Sequence, residues 1–274
     1  MPELPEVETI AAGLRHGRAD QASLIGRRIL QARLLWERSL AWPSPAEFYD
    51  WLPGQIIGDI RRRGKFIVFK LSQHTLLVHL RMSGDLLVEP DTAPLAPHHR
   101  LVIDLDGDLR LAFNDARKFG RVWLTADPQS VLGALGPEPL DESFTAEDLY
   151  RALHAHQRQL KPLLLDQTFL AGLGNIYADE SLNLARLHPR QLAHLLPVSG
   201  AERLLEAIRT VLNQAIEHQG ATIDWVYKGG DFQNYFRAYQ RTGEPCQNCG
   251  ALIERIIVGQ RGTHYCPNCQ LIVN

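Results

Sequence analysis

The chain has 274 residues, of which 45% are apolar and 22% are charged, as in a globular protein with one large or two ordinary domains. This composition excludes a chain that is disordered throughout, and no apolar run approaches the roughly 18 residues of a membrane span. The net charge of −2 alone argues weakly against a nucleic-acid partner, although segments 59–70 and 110–121 carry local excesses of positive charge. The acidic start lacks the features of a signal peptide, so we expect a cytosolic protein.

The first half of the chain predicts one helix followed by many short strands. Apolar residues in Val7–His16 have helical spacing. Segments rich in Ile, Val, Leu and Phe predict strands at 28–35, 55–61, 66–71, 75–82, 100–105, 109–113 and 121–125. The dipeptide Asp106-Gly107 predicts a tight hairpin turn between two of these strands. Many short strands separated by turns favour a β-sandwich or barrel over residues 1–125.

The pattern becomes helical after a proline-rich break at 127–139. Apolar spacing predicts helices at 145–156, 160–171, 176–186 and 200–218. Two pairs match the capping box, in which a hydroxyl and a carboxyl group satisfy first-turn amides: Thr145 with Asp148, and Ser199 with Glu202. Gly220 is expected to end the last helix, and residues 221–240 are expected to form a loop.

All four cysteines lie near the end of the chain, as Cys246, Cys249, Cys266 and Cys269. Two Cys-x-x-Cys pairs at this separation are typical of a zinc site, and a cytosolic setting argues against two disulfides. Four thiolates leave no open coordination position, so the spacing predicts one structural Zn²⁺. Segments 256–258 and 263–265 predict a hairpin with Arg261 at its tip, where the side chain would either grip a phosphate or be a solvated turn residue.

The amino terminus is a second candidate site. Removal of Met1 is expected and would leave Pro2 with a secondary amine, and an α-amino group has a pKa of about 8. Such an amine is a competent nucleophile toward an aldehyde-level carbon. Glu3 and Glu6 lie beside it in the sequence and could act as general acid or base. Because many proteins begin with Met-Pro, an ordinary amino terminus is the alternative.

Five motifs and the cysteine module follow one another in a characteristic order. The motifs are Pro2-Glu-Leu-Pro-Glu-Val-Glu-Thr9, Arg62-Arg-Gly-Lys65, His79-Leu-Arg-Met82, Asp115-Ala-Arg117-Lys-Phe119-Gly, and Ala171-Gly-Leu-Gly174-Asn175-Ile-Tyr-Ala-Asp-Glu180. Together they resemble the formamidopyrimidine-DNA glycosylase family, the bacterial 8-oxoguanine DNA glycosylases, over essentially the whole chain. The resemblance implies an α+β multidomain fold with three parts. They are an N-terminal β-sandwich with a leading helix (1–130), a helical helix–two-turn–helix domain with a lesion-covering loop at 221–232 (131–238), and a C-terminal zinc-finger β-hairpin (239–274).

The resemblance implies a bifunctional glycosylase and AP lyase that removes 8-oxoguanine and formamidopyrimidines from duplex DNA. Pro2 would attack C1′ of the damaged nucleotide and expel the base, and the resulting Schiff base would drive β- and then δ-elimination. Glu3 would carry protons and Glu6 would support it. The catalytic residues implied in this way are Pro2, Glu3, Glu6, Lys65 and Arg261.

The resemblance also implies a set of DNA-binding residues. An enzyme of this class takes the damaged base out of the stack, and something must fill the gap. Met82, Arg117 and Phe119 match the family's three void-filling residues. Gly174 and Asn175 open a helix whose first amides form an anion site, and with Lys161 and Arg261 they resemble a phosphate clamp. The DNA-binding residues implied are His79, Met82, Arg117, Phe119, Lys161, Gly174, Asn175 and Tyr239.

Three departures from the family pattern leave the choice of damaged base open. Ala238-Tyr239-Gln240-Arg241 stands where the family usually has Val-Tyr-Gly-Arg. His98-His99-Arg100 stands where the family tends to have His-x-His, and loop 221–232 is several residues shorter than in typical members. None of these departures touches the residues expected to carry the lyase chemistry.

Three alternatives remain. An endonuclease VIII-like glycosylase for oxidised pyrimidines would share Pro2 and Glu3, but that branch usually has glycine where this chain has Leu4. A non-catalytic damaged-DNA-binding zinc-finger protein would not need Pro2, Glu3, Lys65 and Asn175. A zinc-ribbon protein-interaction module would leave the first 240 residues unexplained. We expect a monomer that acts on damaged double-stranded DNA in the bacterial cytoplasm, associated with the nucleoid through that DNA.

Overall fold

The computed structural model describes residues 1–18, 22–222 and 229–272. The chain divides into two compact units. The first comprises Met1–Gly133 with Thr222–Gly230, and the second comprises Ala134–Ala221 with Asp231–Asn274. Within the described ranges, no helix is both long and apolar enough to cross a membrane.

The first unit opens with helix α1 (Leu4–His16), which starts three residues earlier than its apolar spacing predicts. Glu3 and Glu6 form a capping box there, and Pro5 lies in the first turn, where its missing N–H costs nothing. The helix buries one face in the core, with Val7, Ile10 and Leu14 almost fully enclosed. The carboxyl groups of Glu3 and Glu6 therefore satisfy main-chain amides at the start of α1.

Among the described residues of the first unit, nine strands and two short α-helices follow. They are β1 (Ile29–Leu34), β2 (Leu40–Trp42), α2 (Pro45–Trp51), β3 (Ile57–Arg63), β4 (Phe66–Leu71), β5 (Thr75–His79), β6 (Gly84–Pro90), β7 (His99–Leu105), β8 (Leu109–Asp115), β9 (Arg121–Thr125) and α3 (Gln129–Leu132). The seven predicted strands are confirmed, whereas β2, β6 and α2 were not predicted. Strand β5 ends at His79, three residues before the predicted end, because a turn follows.

The strands form two sheets, in the orders β1-β7-β8-β6 and β2-β9-β5-β4-β3. All pairings are antiparallel except that of β2 with β9. Apolar side chains from both sheets and from α1 share one buried core, which confirms the predicted β-sandwich with a leading helix. The β7–β8 turn has positive φ at Gly107 and Asp108, so it is one residue longer than the predicted two-residue turn.

In the part of the second unit that the structure describes, there are four α-helices and a hairpin. They are α4 (Ala146–His154), α5 (Leu160–Leu164), α6 (Asn175–Leu184), α7 (Val198–Glu217), β10 (Glu254–Val258) and β11 (Arg261–Tyr265). Helix α6 packs against α5, α7 and β11, so it is central to the unit. The capping box of Thr145 and Asp148 is confirmed. The predicted box of Ser199 and Glu202 is wrong, because α7 begins at Val198, after Pro197 as its N-cap.

The predicted helix at 160–171 is also wrong in length, because α5 ends at Leu164 and two turns replace its second half. The Asp166 carboxylate accepts hydrogen bonds from the N–H and hydroxyl of Thr168, at 3.1 and 2.7 Å. The Gln167 side chain accepts from Gly172 N and donates to Leu173 O. These side chains compete with the helical backbone for hydrogen bonds, so the chain turns twice before α6.

Gln240 adopts a left-handed backbone conformation, with φ of 59°. This is the position where the resembled pattern has glycine, the residue that adopts positive φ without strain. We predict that Gln240→Gly raises the free energy of unfolding by about 0.5–1 kcal/mol. This gain is the strain relieved at positive φ minus the cost of the greater flexibility of glycine in the unfolded chain. Thermal unfolding of Gln240→Gly and of the control Gln240→Ala checks this. Equal stabilisation by both variants would show that the side chain, not the backbone, is the cause.

Candidate functional site

The amino-terminal candidate residues are brought together at the start of α1. Pro2, Glu3 and Glu6 are all buried. The Glu3 N–H donates to the Glu6 carboxylate at 2.8 Å, within the capping box that these two residues form. Glu6 therefore orients the backbone of Glu3. A buried carboxyl group immediately after the amino-terminal proline is well placed to exchange protons with a group that reacts there.

Lys65 lies in the turn between β3 and β4 and is almost completely buried. The preceding Gly64 has a φ of 54°, which suits the tight turn. The Arg62 guanidinium donates to the carboxylate of Glu8 on α1 at 2.8 Å and to the carbonyl of Gly64 at 3.2 Å. Arg62 thus ties the turn that carries Lys65 to the helix that follows Pro2 and Glu3.

His79 stands opposite Phe66 in the β4–β5 pairing, with its ring 4.7 Å from the Phe66 ring, centre to centre. Its Nδ1 accepts a hydrogen bond from the Arg81 N–H at 3.0 Å. Burial, together with the positive charges of Arg81 and Lys65, lowers the pKa of His79 to about 3. The ring is therefore neutral at pH 7. Because Nδ1 is an acceptor, Nε2 carries the proton and can act as a donor.

The three candidate void-filling residues lie on two turns of the first unit. Met82 is half-buried in the turn between β5 and β6. Arg117 and Phe119 are exposed in the loop between β8 and β9, and the Phe119 side chain is 49% accessible. The Arg117 guanidinium lies over the Phe119 ring, 5.1 Å from its centre. An exposed aromatic ring covered by a guanidinium is suited to stacking against a base.

Lys161 and Asp179 form a fully buried ion pair in the second unit. Their Nζ and Oδ1 atoms are 2.6 Å apart, and neither side chain is accessible. The ammonium group also donates to Gly262 O at 3.0 Å and to Thr263 Oγ1 at 2.8 Å, both on β11. The second carboxylate oxygen of Asp179 accepts from the His264 N–H at 2.9 Å. In this structure Lys161 holds the hairpin from inside and does not reach the surface.

Helix α6 and the hairpin present the remaining candidates for the phosphate clamp. Gly174 is the N-cap of α6 and offers no side chain to its first-turn amides. The Asn175 amide donates to Gly262 O at 3.1 Å, while its buried Oδ1 has no partner among the described residues. Arg261 is exposed directly after the Gly259-Gln260 turn, so it begins β11 and does not occupy the tip itself. A helix N-terminus beside an exposed guanidinium favours an anion.

Glu180 fixes the segment that carries Tyr239. Its buried carboxylate accepts hydrogen bonds from the N–H groups of Arg237, Ala238 and Tyr239, at 2.7, 3.0 and 2.7 Å. Burial raises the pKa of Glu180, and the three amides oppose that rise. The half-buried Tyr239 ring packs edge-on against His264, so its position depends on the hairpin as well.

The four cysteine sulfur atoms all lie within 4.8 Å of one another. The distance between Sγ atoms is 4.0 Å for Cys246 and Cys269, and 3.5 Å for Cys249 and Cys266. Tetrahedral zinc with Zn–S bonds of about 2.3 Å places its sulfur ligands roughly 3.8 Å apart. The residues therefore fit one structural zinc ion, and Gly250 provides the positive φ of the first knuckle.

The sequence patterns did not single out Asp179, Glu180, Ser83 or Asp115 as functional. Asp179 and Glu180 act on segments far along the chain, and Ser83 is linked to Asp115 across 32 positions, so only the fold reveals these partners. A weak signal was present in the pair Asp179-Glu180, because two adjacent carboxyl groups within an apolar helix need partners. Residues 223–228 make up the middle of loop 221–232, which was predicted to be short, and they lie outside the described residues.

Three family models match the chain in order. Residues 1–122 match the formamidopyrimidine-DNA glycosylase N-terminal domain, residues 135–226 match its H2TH domain, and residues 243–272 match a zinc finger found in FPG and IleRS. Two curated relatives have the name formamidopyrimidine-DNA glycosylase. The one from Chloroflexus aurantiacus is 46% identical over 99% of this chain and 98% of its own. The one from Herpetosiphon aurantiacus is 44% identical over 98% of this chain and 100% of its own.

Solved structures of Fpg (MutM) from Lactococcus lactis are similar in fold. A complex with DNA containing N7-benzyl-Fapy-dG has a TM-score of 0.90 and 36% identity, covering 98% of this chain and 99% of that one. A complex with DNA containing an oxidised pyrimidine has a TM-score of 0.89 and 36% identity over the same shares. The similarity therefore extends across both units.

The lowered pKa of His79 predicts an acid-dependent loss of stability. Between pH 6.5 and about 3, the unfolded chain binds a proton at this residue that the folded chain does not, so stability falls as the pH falls through this window. We expect the wild type to lose about 2 kcal/mol more unfolding free energy than His79→Gln between pH 7.5 and 5. Denaturant unfolding at both pH values measures this, and equal losses would contradict it.

The buried ion pair predicts a strong effect of removing one partner. Lys161→Met leaves the Asp179 carboxylate buried without its cation, which is expected to cost about 3–5 kcal/mol of unfolding free energy. In Lys161→Met/Asp179→Asn no charge is stranded, so the double variant should recover part of the loss. Chemical unfolding of both variants with zinc present provides the comparison. A double variant as unstable as the single one would show that the charge is not the cause.

Proposed function

The chain belongs to the formamidopyrimidine-DNA glycosylase family, and from this premise we propose that it excises oxidised purines from duplex DNA and then cuts the strand at the abasic site. The observation that carries the proposal is the amino-terminal arrangement, in which Pro2 and Glu3 are buried together and Glu6 fixes the backbone of Glu3. The two L. lactis structures are complexes with damaged DNA. Catalysis at such a site needs a nucleophile and a proton carrier, and both are present.

In the proposed reaction, removal of Met1 exposes the secondary amine of Pro2. Its nitrogen forms a bond to C1′ of the damaged nucleotide as the bond from C1′ to the base breaks. The base leaves with the electron pair of that bond and is neutralised by the proton that the nitrogen loses. Glu3 donates a proton to the sugar-ring oxygen, the ring opens, and an iminium ion joins Pro2 to C1′. Loss of a proton from C2′ then expels the 3′ phosphate, and a second elimination expels the 5′ phosphate. The cationic iminium accepts the electron pair in both eliminations.

Several side chains support this chemistry by binding the DNA backbone. We assign Gly174, Asn175 and Arg261 to direct contact with phosphate groups, because they lie at the start of α6 and on the adjacent hairpin. Lys161 supports this phosphate clamp indirectly, since its buried ammonium group holds β11 in place. Lys65 and the neutral His79 are assigned to the phosphates beside the lesion, and Tyr239 is assigned to contact with the DNA beside the hairpin.

Met82, Arg117 and Phe119 are proposed to occupy the gap that the extruded nucleotide leaves. Phe119 would stack in the helix, Met82 would act as an apolar wedge, and the Arg117 guanidinium would hydrogen-bond to the unpaired partner base. The exposed positions of Arg117 and Phe119 support this role, because core residues would be enclosed.

We further propose how the protein is organised and where it works. The division into 1–130, 131–238 and 239–274 is supported by the breaks between the three family models. The zinc ion, when bound by the four cysteines, clamps the hairpin that carries Arg261. A monomer bound to nucleoid DNA in the bacterial cytoplasm is sufficient, since one chain supplies every residue used above.

Removal of oxidised pyrimidines is the second candidate activity. It is favoured by one observation, namely that a structural relative with 36% identity was solved in complex with DNA containing an oxidised pyrimidine. The amino-terminal chemistry would be the same for both classes of lesion. The difference would lie in which extruded base the lesion-covering loop 221–232 accepts.

Borohydride trapping tests the proposed function directly. The reductant converts the iminium ion into a stable amine, so the protein becomes covalently joined to the DNA strand. We expect an adduct with a duplex that contains 8-oxoguanine opposite cytosine, and at least a tenfold weaker adduct for Pro2→Gly, which replaces the secondary amine with a primary amine whose Schiff base is not permanently cationic. Pro53→Gly, at an exposed turn of the same unit, is the matched control and should trap as the wild type does.

The outcomes separate the candidate activities. Trapping only on a duplex with an oxidised pyrimidine would replace the first candidate by the second. No adduct on either duplex, from protein that mass spectrometry shows to begin at Pro2, would favour a non-catalytic DNA-binding protein. Undiminished trapping by Pro2→Gly would show that the proline ring is not required, and an adduct mapped by mass spectrometry to a residue other than position 2 would place the Schiff base on another amine.

A further inference from the structure

We infer that Ser83 and Asp115 form a clamp that joins the Met82 turn to the loop carrying Arg117 and Phe119, so that the three side chains enter DNA as one unit. Ser83 and Asp115 are thus positioning residues and need not touch the DNA themselves. The inference rests on the proposed function, in which these three side chains fill the gap left by an extruded nucleotide. The link between Ser83 and Asp115 would fix the positions of the three void-filling side chains relative to one another.

The topology of the sandwich brings the two turns side by side. Residues 80–83 connect β5 to β6, and residues 116–120 connect β8 to β9. Strands β5 and β9 are neighbours in one sheet, while β6 and β8 are neighbours in the other. Both connections therefore cross between the sheets at the same end of the sandwich. In the β6–β8 pairing, Gly84 stands opposite Asp115, so Ser83 lies next to the start of the second crossing.

Hydrogen bonds link the two crossings through one carboxylate and one hydroxyl group. The Ser83 hydroxyl donates to Asp115 Oδ1 and accepts from the Arg117 N–H at 3.0 Å. Asp115 Oδ1 also accepts from the Arg117 N–H at 3.2 Å, and Oδ2 accepts from the Gly120 N–H at 2.7 Å. The carboxylate thus holds both ends of the segment that contains Phe119, and the serine adds the neighbouring turn.

The side chains of Ser83 and Asp115 are almost completely buried. Their hydrogen-bond partners given above are all polar groups. Asp115 is inaccessible and Ser83 is 2% accessible. A buried hydrogen bond is not exchanged with water, and leaving one of its partners unsatisfied is costly. If the two turns shifted apart, the Asp115 carboxylate would be exposed to water or would lose its hydrogen-bond donors. This is the property that a rigid void-filling unit needs.

Arg100 supports the clamp by binding the backbone of Asp115. Because Arg100 is one of the departures from the family pattern, this contact gives that departure a structural role. Its buried guanidinium donates through Nε to the backbone carbonyl of Asp115 at 2.7 Å, and also to Pro97 O at 3.1 Å. The backbone N–H of Asp115 donates to His98 O at 2.8 Å. Both backbone polar groups of Asp115 are therefore held, so its side chain leaves β8 in a defined direction.

Close packing restricts the two turns further. A Cβ atom on Gly84 would lie 2.5 Å from Leu80 O and 2.9 Å from the Phe113 ring. A Cβ atom on Gly120 would lie 2.2 Å from the same ring. Phe113 thus fills the space between the crossings so tightly that only glycine fits on either side. The clamp and the Phe113 ring together fix how the two connecting turns are arranged.

The test compares Ser83→Ala with Thr125→Val. Ser83→Ala removes the hydroxyl that bridges the turns and leaves the void-filling residues intact. The Thr125 hydroxyl also makes one donated and one accepted hydrogen bond, both to Asp127, but it lies at the opposite end of β9. The probe is a duplex with a tetrahydrofuran abasic analogue, which has a gap to fill and no base to excise. The same modified strand without its complement offers no stacked gap.

We expect Ser83→Ala to bind the modified duplex about tenfold more weakly than the wild type, as loss of a buried hydrogen-bond partner implies, and to bind the single strand equally well. Thr125→Val should match the wild type on both. In the free protein, amide hydrogen exchange at Arg117 and Gly120 should quicken in Ser83→Ala alone, because their loop has lost its anchor.

Each contrary outcome is informative. Unchanged duplex affinity in Ser83→Ala, or an equal loss on the single strand, would overturn the clamp as a positioning device. An equal loss in Thr125→Val would show a general effect on the sandwich. Failure of the proposed function would appear separately, as a wild type that neither prefers the modified duplex nor traps on a damaged one, and the role of the clamp in DNA binding would fall with it.

Discussion

Buried carboxylates that accept hydrogen bonds from main-chain amides hold several of the segments that carry proposed functional residues. Glu6 holds the backbone of Glu3, and Asp115 holds the loop that carries Arg117 and Phe119. In the second unit, Asp179 holds β11 and Glu180 holds the segment of Tyr239. A backbone amide fixed in this way cannot drift as a side-chain contact can. The functional side chains therefore start from defined positions although they stand on short turns.

This arrangement requires that each buried charge be compensated. Asp179 is matched by the Lys161 ammonium group, whereas Glu180 and Asp115 rely on several hydrogen-bond donors each. Burying a carboxylate without such partners would be costly, and the raised pKa of Glu180 records the part of that cost that three amides do not cancel. The adjacent carboxyl groups of α6 act on different neighbours, so one helix organises both the hairpin and the segment leading to the zinc-binding cysteines.

Local patterns were enough to predict most of the sandwich strands, the four-cysteine cluster and the box at Thr145, because period, spacing and caps are properties of short segments. They failed where side-chain hydrogen bonds, whether local or between distant segments, decide the path of the backbone. The predicted helix at 160–171 ignored Asp166 and Gln167, whose side chains redirect the backbone into two turns. The link between Ser83 and Asp115 spans 32 positions and depends on two strands being neighbours, which no local pattern shows.

The net charge of −2 argued against a nucleic-acid partner, but it does not describe the charge of the surface, because some of the charged side chains are buried. Among the described residues, buried side chains include the carboxylates of Glu3, Glu6, Asp104, Asp115, Asp179 and Glu180, but the cations of only Lys65, Arg100, Arg110 and Lys161. Carboxylates serve as internal acceptors for amides, so a larger share of the positive charge stays outside. Arg117 and Arg261 are both exposed, Arg117 in the loop that Asp115 holds and Arg261 on the strand that Asp179 holds. A phosphate backbone responds to these local cations rather than to the total, and for that reason an acidic chain can bind DNA.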